Sequence, residues 1–151
     1  MATISKTWTA AVELAVTNAF GGVVADLAAD QAYDYTDDVD LETNGYQGAQ
    51  VLVELKLNFG TDRGLGAPAE VGGVIVDVFA SLDGSRYDTI PYKSFKVKGN
   101  VVTKANPEGD FQVFSFRIED LAHFRIGLRT DGTEDTWDYR ITYQTWLTDN
   151  S

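Results

Sequence analysis

The sequence predicts an all-β chain, an antiparallel β-sandwich of jelly-roll type with an N-terminal arm or short helix. Three observations carry this expectation. Apolar residues alternate with polar ones through most of five runs between Ala49 and Leu147, the period of a half-buried strand. Those runs are rich in β-branched and aromatic residues, which suit a pleated surface. Pairs such as Asn44-Gly45, Asp83-Gly84 and Asp131-Gly132 recur between them and supply turn chemistry.

The elements follow in order. In "TAAVELAVTNA" Val12, Leu14 and Val16 oppose Glu13 and Thr17, which favours a strand, while the alanines also permit a short helix. "VVADLAADQA" has the same two readings. In "AQVLVELKLNF" Val51, Val53, Leu55 and Leu57 share a face, with Leu52 as the exception. "GVIVDVFAS" is apolar on both faces apart from Asp77 and reads as a central strand. "FQVFSFRI" aligns Phe114, Phe116 and Ile118; "FRIGLRT" aligns Phe124, Ile126 and Leu128; "WDYRITYQTWL" aligns Trp137, Tyr139, Ile141 and Tyr143. Short strands with frequent turns point to a sandwich or barrel. The glycine-rich stretch "GTDRGLGAPAEVGG" reads as a mobile or partner-contacting loop. The expected organisation is one domain, with residues 1–35 forming an arm or first strands packed on the sandwich of residues 36–151.

Composition narrows the function. A chain of 151 residues with 44% hydrophobic side chains is long enough for one real core. The absence of cysteine excludes disulfides and thiolate metal sites. Twelve Lys and Arg against 23 Asp and Glu leave a net charge of −11, and no cation falls between Lys6 and Lys56. Such a surface repels nucleic acid and anionic membranes. It serves solubility or forms a face for a basic partner. No segment approaches the roughly 20 apolar residues of a membrane span. The N-terminus lacks the pattern of a signal peptide, so synthesis in the cytoplasm is expected.

Catalytic and metal motifs are missing. The single histidine, His123, opens a strand and reads as structural or surface-exposed. There is no Gly-x-Ser-x-Gly, and "GTDRGLG" has no lysine at P-loop spacing. The acidic runs "DYTDDVD" and "DGTEDTWD" do not match an EF-hand. No catalytic residue, cofactor or metal is therefore expected. Trp8, Trp137, Trp146, Tyr33, Tyr35 and Tyr46 are available to sugar rings, although strand aromatics more often serve a core. Trp146 is out of phase with the aromatic face of its own strand and is the best candidate for an outward or interface aromatic. Lys96 and Lys98 share one strand face, with Lys93 on the other, and could pair with the acidic segment of a neighbouring copy. Asp83-Gly84 is expected to be a tight hairpin turn rather than a site.

Three stretches together resemble a known group. "VDLETNGYQGAQVLVEL", "VDVFASLDGSRYDTIPYKSF" and "FRIGLRTDGTEDTWDYRITYQTW" are similar, in order and spacing, to segments of small β-sandwich virion proteins of tailed bacteriophages, over about residues 39 to 146. The resemblance implies a non-enzymatic virion component, most simply a head decoration (cement) protein assembled in the host cytoplasm. Its partners would be the major capsid protein and copies of itself, as a trimer or dimer. A tail-associated or neck protein is the alternative within that class, and a carbohydrate-binding module the alternative outside it. The first 35 residues have no counterpart in the resemblance and would be an arm reaching to the capsid or to a sister subunit. On this reading the interface residues are Ile4, Lys6 and Trp8 in the N-terminal segment and Arg63, Leu65 and Pro68 in the glycine-rich loop, joined by Lys96, Lys98 and Trp146.

Overall fold

A computed structural model describes residues 4–13, 25–27, 31–58, 69–70, 73–97, 101–102, 111–131 and 136–150. Among these residues there are strands and no helix. In chain order they are β1 (Ile4–Trp8), β2 (Val12–Glu13), β3 (Ala25–Leu27), β4 (Asp34–Tyr35), β5 (Val39–Asp40), β6 (Gly48–Asn58), β7 (Ala69–Glu70), β8 (Val74–Ser81), β9 (Lys93–Val97), β10 (Val101–Val102), β11 (Phe111–Glu119), β12 (His123–Thr130) and β13 (Thr136–Asn150).

Two antiparallel sheets form the sandwich. The first runs β1-β13-β6-β11, with β2 and β3 also paired to β13. The second runs β4-β12-β8-β9, with β5 also paired to β12; β7 and β10 make a separate two-stranded ribbon. The alternation read from the sequence becomes the core. Val51, Val53, Leu55, Ile118, Trp137, Tyr139 and Ile141 of the first sheet face Val76, Val78, Phe124, Ile126 and Leu128 of the second, all with at most 2% exposure. Each aliphatic or Phe side chain so buried stabilises the fold by about 1.5–3 kcal/mol. The expected central strand, β8, lies between β12 and β9; β6 lies between β13 and β11.

The described strands of the N-terminal segment, β1, β2 and β3, all pair with β13. No helix replaces the strand over Val12–Glu13 or Ala25–Leu27; residues 14–24 lie outside the described residues. Unpaired N–H and C=O groups along an existing strand are the best available partners for a short segment with little core of its own.

Two edge segments carry a bulge, and both are closed by a threonine. Trp8 pairs with Trp146 but Val12 with Tyr143, so three residues (9–11) oppose two. There Thr9 N–H donates to the Thr145 carbonyl at 2.9 Å and Thr9 Oγ1 accepts Thr145 N–H at 3.1 Å. Likewise Tyr35 pairs with Gly127 but Val39 with Phe124. Thr36 N–H donates to the Ile126 carbonyl at 2.9 Å, and Thr36 Oγ1 accepts Ile126 N–H at 2.8 Å. In each case the hydroxyl replaces the ladder carbonyl that the extra residue removes.

Glycines seat aromatic rings on the outer faces. A Cβ at Gly48 would fall within 2.6 Å of the Trp146 indole and also against the Ile118 carbonyl. A Cβ at Gly127 would fall 2.9 to 3.1 Å from Tyr33, Phe79 and Tyr35. The free edge of β11 is partly closed by side chains from the second sheet: Lys93 Nζ donates to the Arg117 carbonyl at 2.6 Å and the Tyr92 hydroxyl to the Glu119 carbonyl at 3.3 Å. Phe95 packs against Phe116 there with tilted rings, centroids 4.7 Å apart.

Gly48→Ala is expected to destabilise the protein by about 1–3 kcal/mol through overpacking, read as a lower urea midpoint at unchanged m-value. Gly45 has φ +66° but nothing within 4 Å of its Cβ position, so Gly45→Ala should lower the midpoint only by its backbone strain. Equal midpoints for Gly48→Ala and wild type would refute the seat.

Candidate functional site

Chemistry-bearing side chains gather on the outer face of the second sheet, at the end where β5, β8 and β12 meet. The bulge after β4 turns Asp38 toward this face. Asp38 Oδ2 lies 2.7 Å from His123 Nδ1, and its Oδ1 accepts a hydrogen bond from the Tyr87 hydroxyl at 2.6 Å. His123 Nε2 faces Asp40 at 3.8 Å and Glu42 at 3.7 Å. Three carboxylates thus surround one imidazole whose side chain is 12% exposed. The hydrogen bond to Asp38 raises the His123 pKa above its ordinary value, against a smaller opposing effect of desolvation and with further help from the charges of Asp38, Asp40 and Glu42. Burial, and then the Asp38 hydrogen bond and charge, push the Tyr87 phenol upward.

Beside this cluster the Arg125 guanidinium is held between two rings, 3.9 Å from the Tyr35 centroid and 4.0 Å from that of Tyr87. Such cation–π contacts are worth about 0.5–1 kcal/mol when exposed and about 2 when desolvated. Arg129 lies 5.5 Å over Tyr33. Asp77, the polar interruption of its strand, is 3% exposed. It accepts hydrogen bonds from the Tyr33 hydroxyl at 2.5 Å and from the Ser94 hydroxyl, which offset the cost of burying a carboxylate.

Asp83-Gly84 is a turn, but not the tight two-residue hairpin the sequence suggests. Ser81 bridges to Tyr87, and an eleven-residue connection separates β8 from β9. Asp83 Oδ1 accepts the N–H groups of Ser85 and Arg86, both at 2.9 Å, and Oδ2 pairs with Arg86 Nε at 3.1 Å. Those backbone donors hold the Asp83 carboxyl well below the usual range. Ser81 Oγ accepts Gly84 N–H at 2.9 Å and donates to the Arg86 carbonyl at 2.6 Å. Gly84 sits at φ +78°, where a Cβ would come within 3.0 Å of His123 Nδ1 and 3.1 Å of Asp38. The turn therefore needs glycine for its conformation and for the carboxylate–imidazole pair above it. Asp40 makes a second closed turn, accepting Glu42 N–H at 2.9 Å and Thr43 N–H at 3.0 Å. The Thr43 hydroxyl, followed by these backbone groups, lowers the Asp40 pKa. Among the described residues no cluster of His, Asp and Glu is arranged to hold a metal ion.

The residues expected at an interface are divided by the fold. Lys6, Trp8 and Trp146 come together on the outer face of the first sheet, with Lys6 Nζ 4.6 Å from the Trp146 ring centroid and the two indoles 5.2 Å apart. The β1 backbone places Ile4 opposite Asn150 on the same ribbon. Trp146 faces outward, as its phase predicts, and is covered within the chain: it is 3% exposed, roofed by Trp8 and Lys6 and approached by Arg117 at 5.3 Å. Alternation reports the face of a strand and cannot report what covers that face. Trp8, at 40%, is the exposed member. Lys96 lies on the other sheet and pairs within the chain with Asp131 at 3.0 Å. Lys93 points to the opposite face, as read. Arg63, Leu65, Pro68 and Lys98 lie outside the described residues. The network of Asp38, Tyr87, His123 and Arg125 escaped the sequence reading because Asp38, Tyr87 and the His123–Arg125 strand lie 36 to 87 positions from one another; the acidic run around Asp38 was its only local signal.

No protein-family model matches the chain, and no curated protein matches it. Among solved structures it is similar to a chain of the acid-stable capsid of Helicobacter pylori bacteriophage KHP30, at 12% identity and a TM-score of 0.48, covering 99% of this chain and 98% of that one. It is also similar to a chain of the disulfide-linked pili of Bacillus endospore appendages, at 16% identity and a TM-score of 0.34, covering 97% and 91%. A third likeness is to a CBM4 chain, at 8% identity and a TM-score of 0.37, covering 93% and 94%. At such identities and scores no role passes from these proteins to this chain.

The His123 cluster implies a pH dependence with a definite sign. A raised folded pKa means a stabilising contribution that is complete below the ordinary value of 6.5 and is lost as pH rises through the folded value. Asp83 acts oppositely: its contribution is present above 3.8 and is lost as pH falls through its lowered folded value. Urea midpoints should therefore decline above about pH 6.5 in the wild type but stay flat there in His123→Gln; parallel profiles would remove the cluster from the stability of the fold. Gly84→Val should lower the unfolding free energy by about 2 kcal/mol or more, from a β-branched residue at positive φ. An unchanged melting temperature would contradict the turn geometry.

Proposed function

We propose that this chain is a non-catalytic virion accessory protein of the tailed-phage type, decorating and stabilising the head by bridging capsid subunits. The single observation that supports the reading is how the motifs behind the family resemblance are used. Asp83, Gly84 and Ser81 of "LDGSRY" close a turn, and Gly48 of "NGYQGA" seats Trp146. Tyr87 of the same segment donates its hydroxyl to Asp38, which also holds His123. The reactive groups of these segments are engaged in holding loops and rings in place. What remains for a partner is surface: strand edges, ring clusters and loop tips. The mechanism is mechanical, a standard interface of roughly 800 Å² per partner repeated over many copies. The partners are the major capsid protein and other copies of the chain.

Quantitative mass spectrometry of purified virions tests this reading. Hundreds of copies per particle are expected for head decoration, whereas about six or twelve, the symmetry of a tail or neck, would move the protein there. Absence from particles would overturn the virion role. A glycan-binding reading rests on Trp8, the exposed indole of the Trp8–Trp146 pair. Sugar binding on a glycan array that disappears in Trp8→Ala would favour it instead.

A further inference from the structure

Two aliphatic side chains stand apart from the other large hydrophobic residues among those described. Leu82 is 88% exposed and Ile90 80%, while the next, Val113, is 49%. Both lie on the β8–β9 connection. A single exposed aliphatic residue is ordinary; the backbone beneath these two is not. Asp88 N–H donates to the Ala80 carbonyl at 2.9 Å and Tyr92 N–H to the Val78 carbonyl at 2.7 Å. Asp83 and Ser81 close the corner between them, and the Tyr87 hydroxyl ties the segment to Asp38. The connection is pinned along its length while its two largest aliphatic groups stay in water. Each forgoes about 1.5–3 kcal/mol of burial, and the hydrogen bonds at Asp83, Asp88 and Tyr92 reduce the ordering that contact would require.

We propose that Leu82 and Ile90 are the anchor side chains of a docking site for a different protein, one that presents apolar sockets with a cationic rim. Charge selects that occupant. Exposed Asp88 lies on the connection itself. Asp120 and Glu42, also exposed, flank the adjoining turn, where Glu42 N–H meets the Ala122 carbonyl. A second copy is a poor fit: each carries −11, and Arg86, Lys96, Arg117 and Arg140 are already in intramolecular ion pairs. The inference names a surface and a partner chemistry, and it stands whether or not the protein is found in virions.

The probe is a fluorescent amphipathic peptide of Leu and Lys repeats, compared with one in which Ser replaces Leu. The wild type should prefer the Leu/Lys peptide. Leu82→Ser/Ile90→Ser should bind it about tenfold more weakly, the equivalent of about 1.4 kcal/mol, at unchanged charge and melting temperature. Equal binding by the double variant, or an equal loss in Val12→Ser/Val113→Ser, would overturn the site. Sedimentation showing a dimer that the double variant abolishes would assign the surface to a second copy and overturn the proposed partner. Binding to phosphatidylcholine vesicles through the same two residues would do so in favour of a membrane.

Discussion

Strand β13 buries Trp137, Tyr139 and Ile141 against the second sheet while its two edges hold β1, β2 and β3 on one side and β6 on the other. The remainder of the molecule depends on that double use. Its inward face joins the two sheets through apolar burial, which is non-directional and large. Its backbone gathers the N-terminal segments, which have little core of their own, through ladder hydrogen bonds that must be satisfied somewhere. With the core closed on the inner faces, the outer faces are free to differ. One carries the Trp8–Trp146 pair beneath Lys6; the other carries tyrosines interleaved with Arg125 and Arg129.

The threonine-closed bulges connect fold to site. A single extra residue reverses which side chains of an edge strand face inward. After Thr36 this reversal turns Asp38 toward His123 and Tyr87, and that contact holds the turn at Asp83-Gly84. The charge cluster at the end of the second sheet thus depends on one local shift in strand pairing. The glycines complete the arrangement by absence: at Gly48, Gly84 and Gly127 the space a Cβ would need is occupied by a ring or by the carboxylate–imidazole pair.

Much of the fold was legible in the residues. The alternation of Val51, Val53 and Leu55, and of Phe124, Ile126 and Leu128, named the core face of each strand, because a strand has period two whatever its partners. Leu52, the exception in its run, is 37% exposed, as its phase requires. Asp77 marked a strand apolar on both faces, and its burial is made tolerable by Tyr33 and Ser94. Trp146 shows the boundary of this reasoning: its phase gave the correct face but could not show that Trp8 and Lys6 cover it from another strand. The N-terminal strands were ambiguous because alanine-rich segments of two or three paired residues take their conformation from the edge they join.

The residue pattern alone determined the class of fold, the inward face of each long strand, and the absence of cysteine chemistry, because these depend on composition and on neighbours two positions apart. Only tertiary structure decided which strands share a sheet, where bulges shift the register, and which distant polar groups meet. Asp38, Tyr87 and His123 are brought together by pairing across three strands, and the exposure of Trp146, Leu82 and Ile90 depends on whether another segment lies over them. Contacts of that kind are set by the path of the whole chain through space, which no local periodicity encodes.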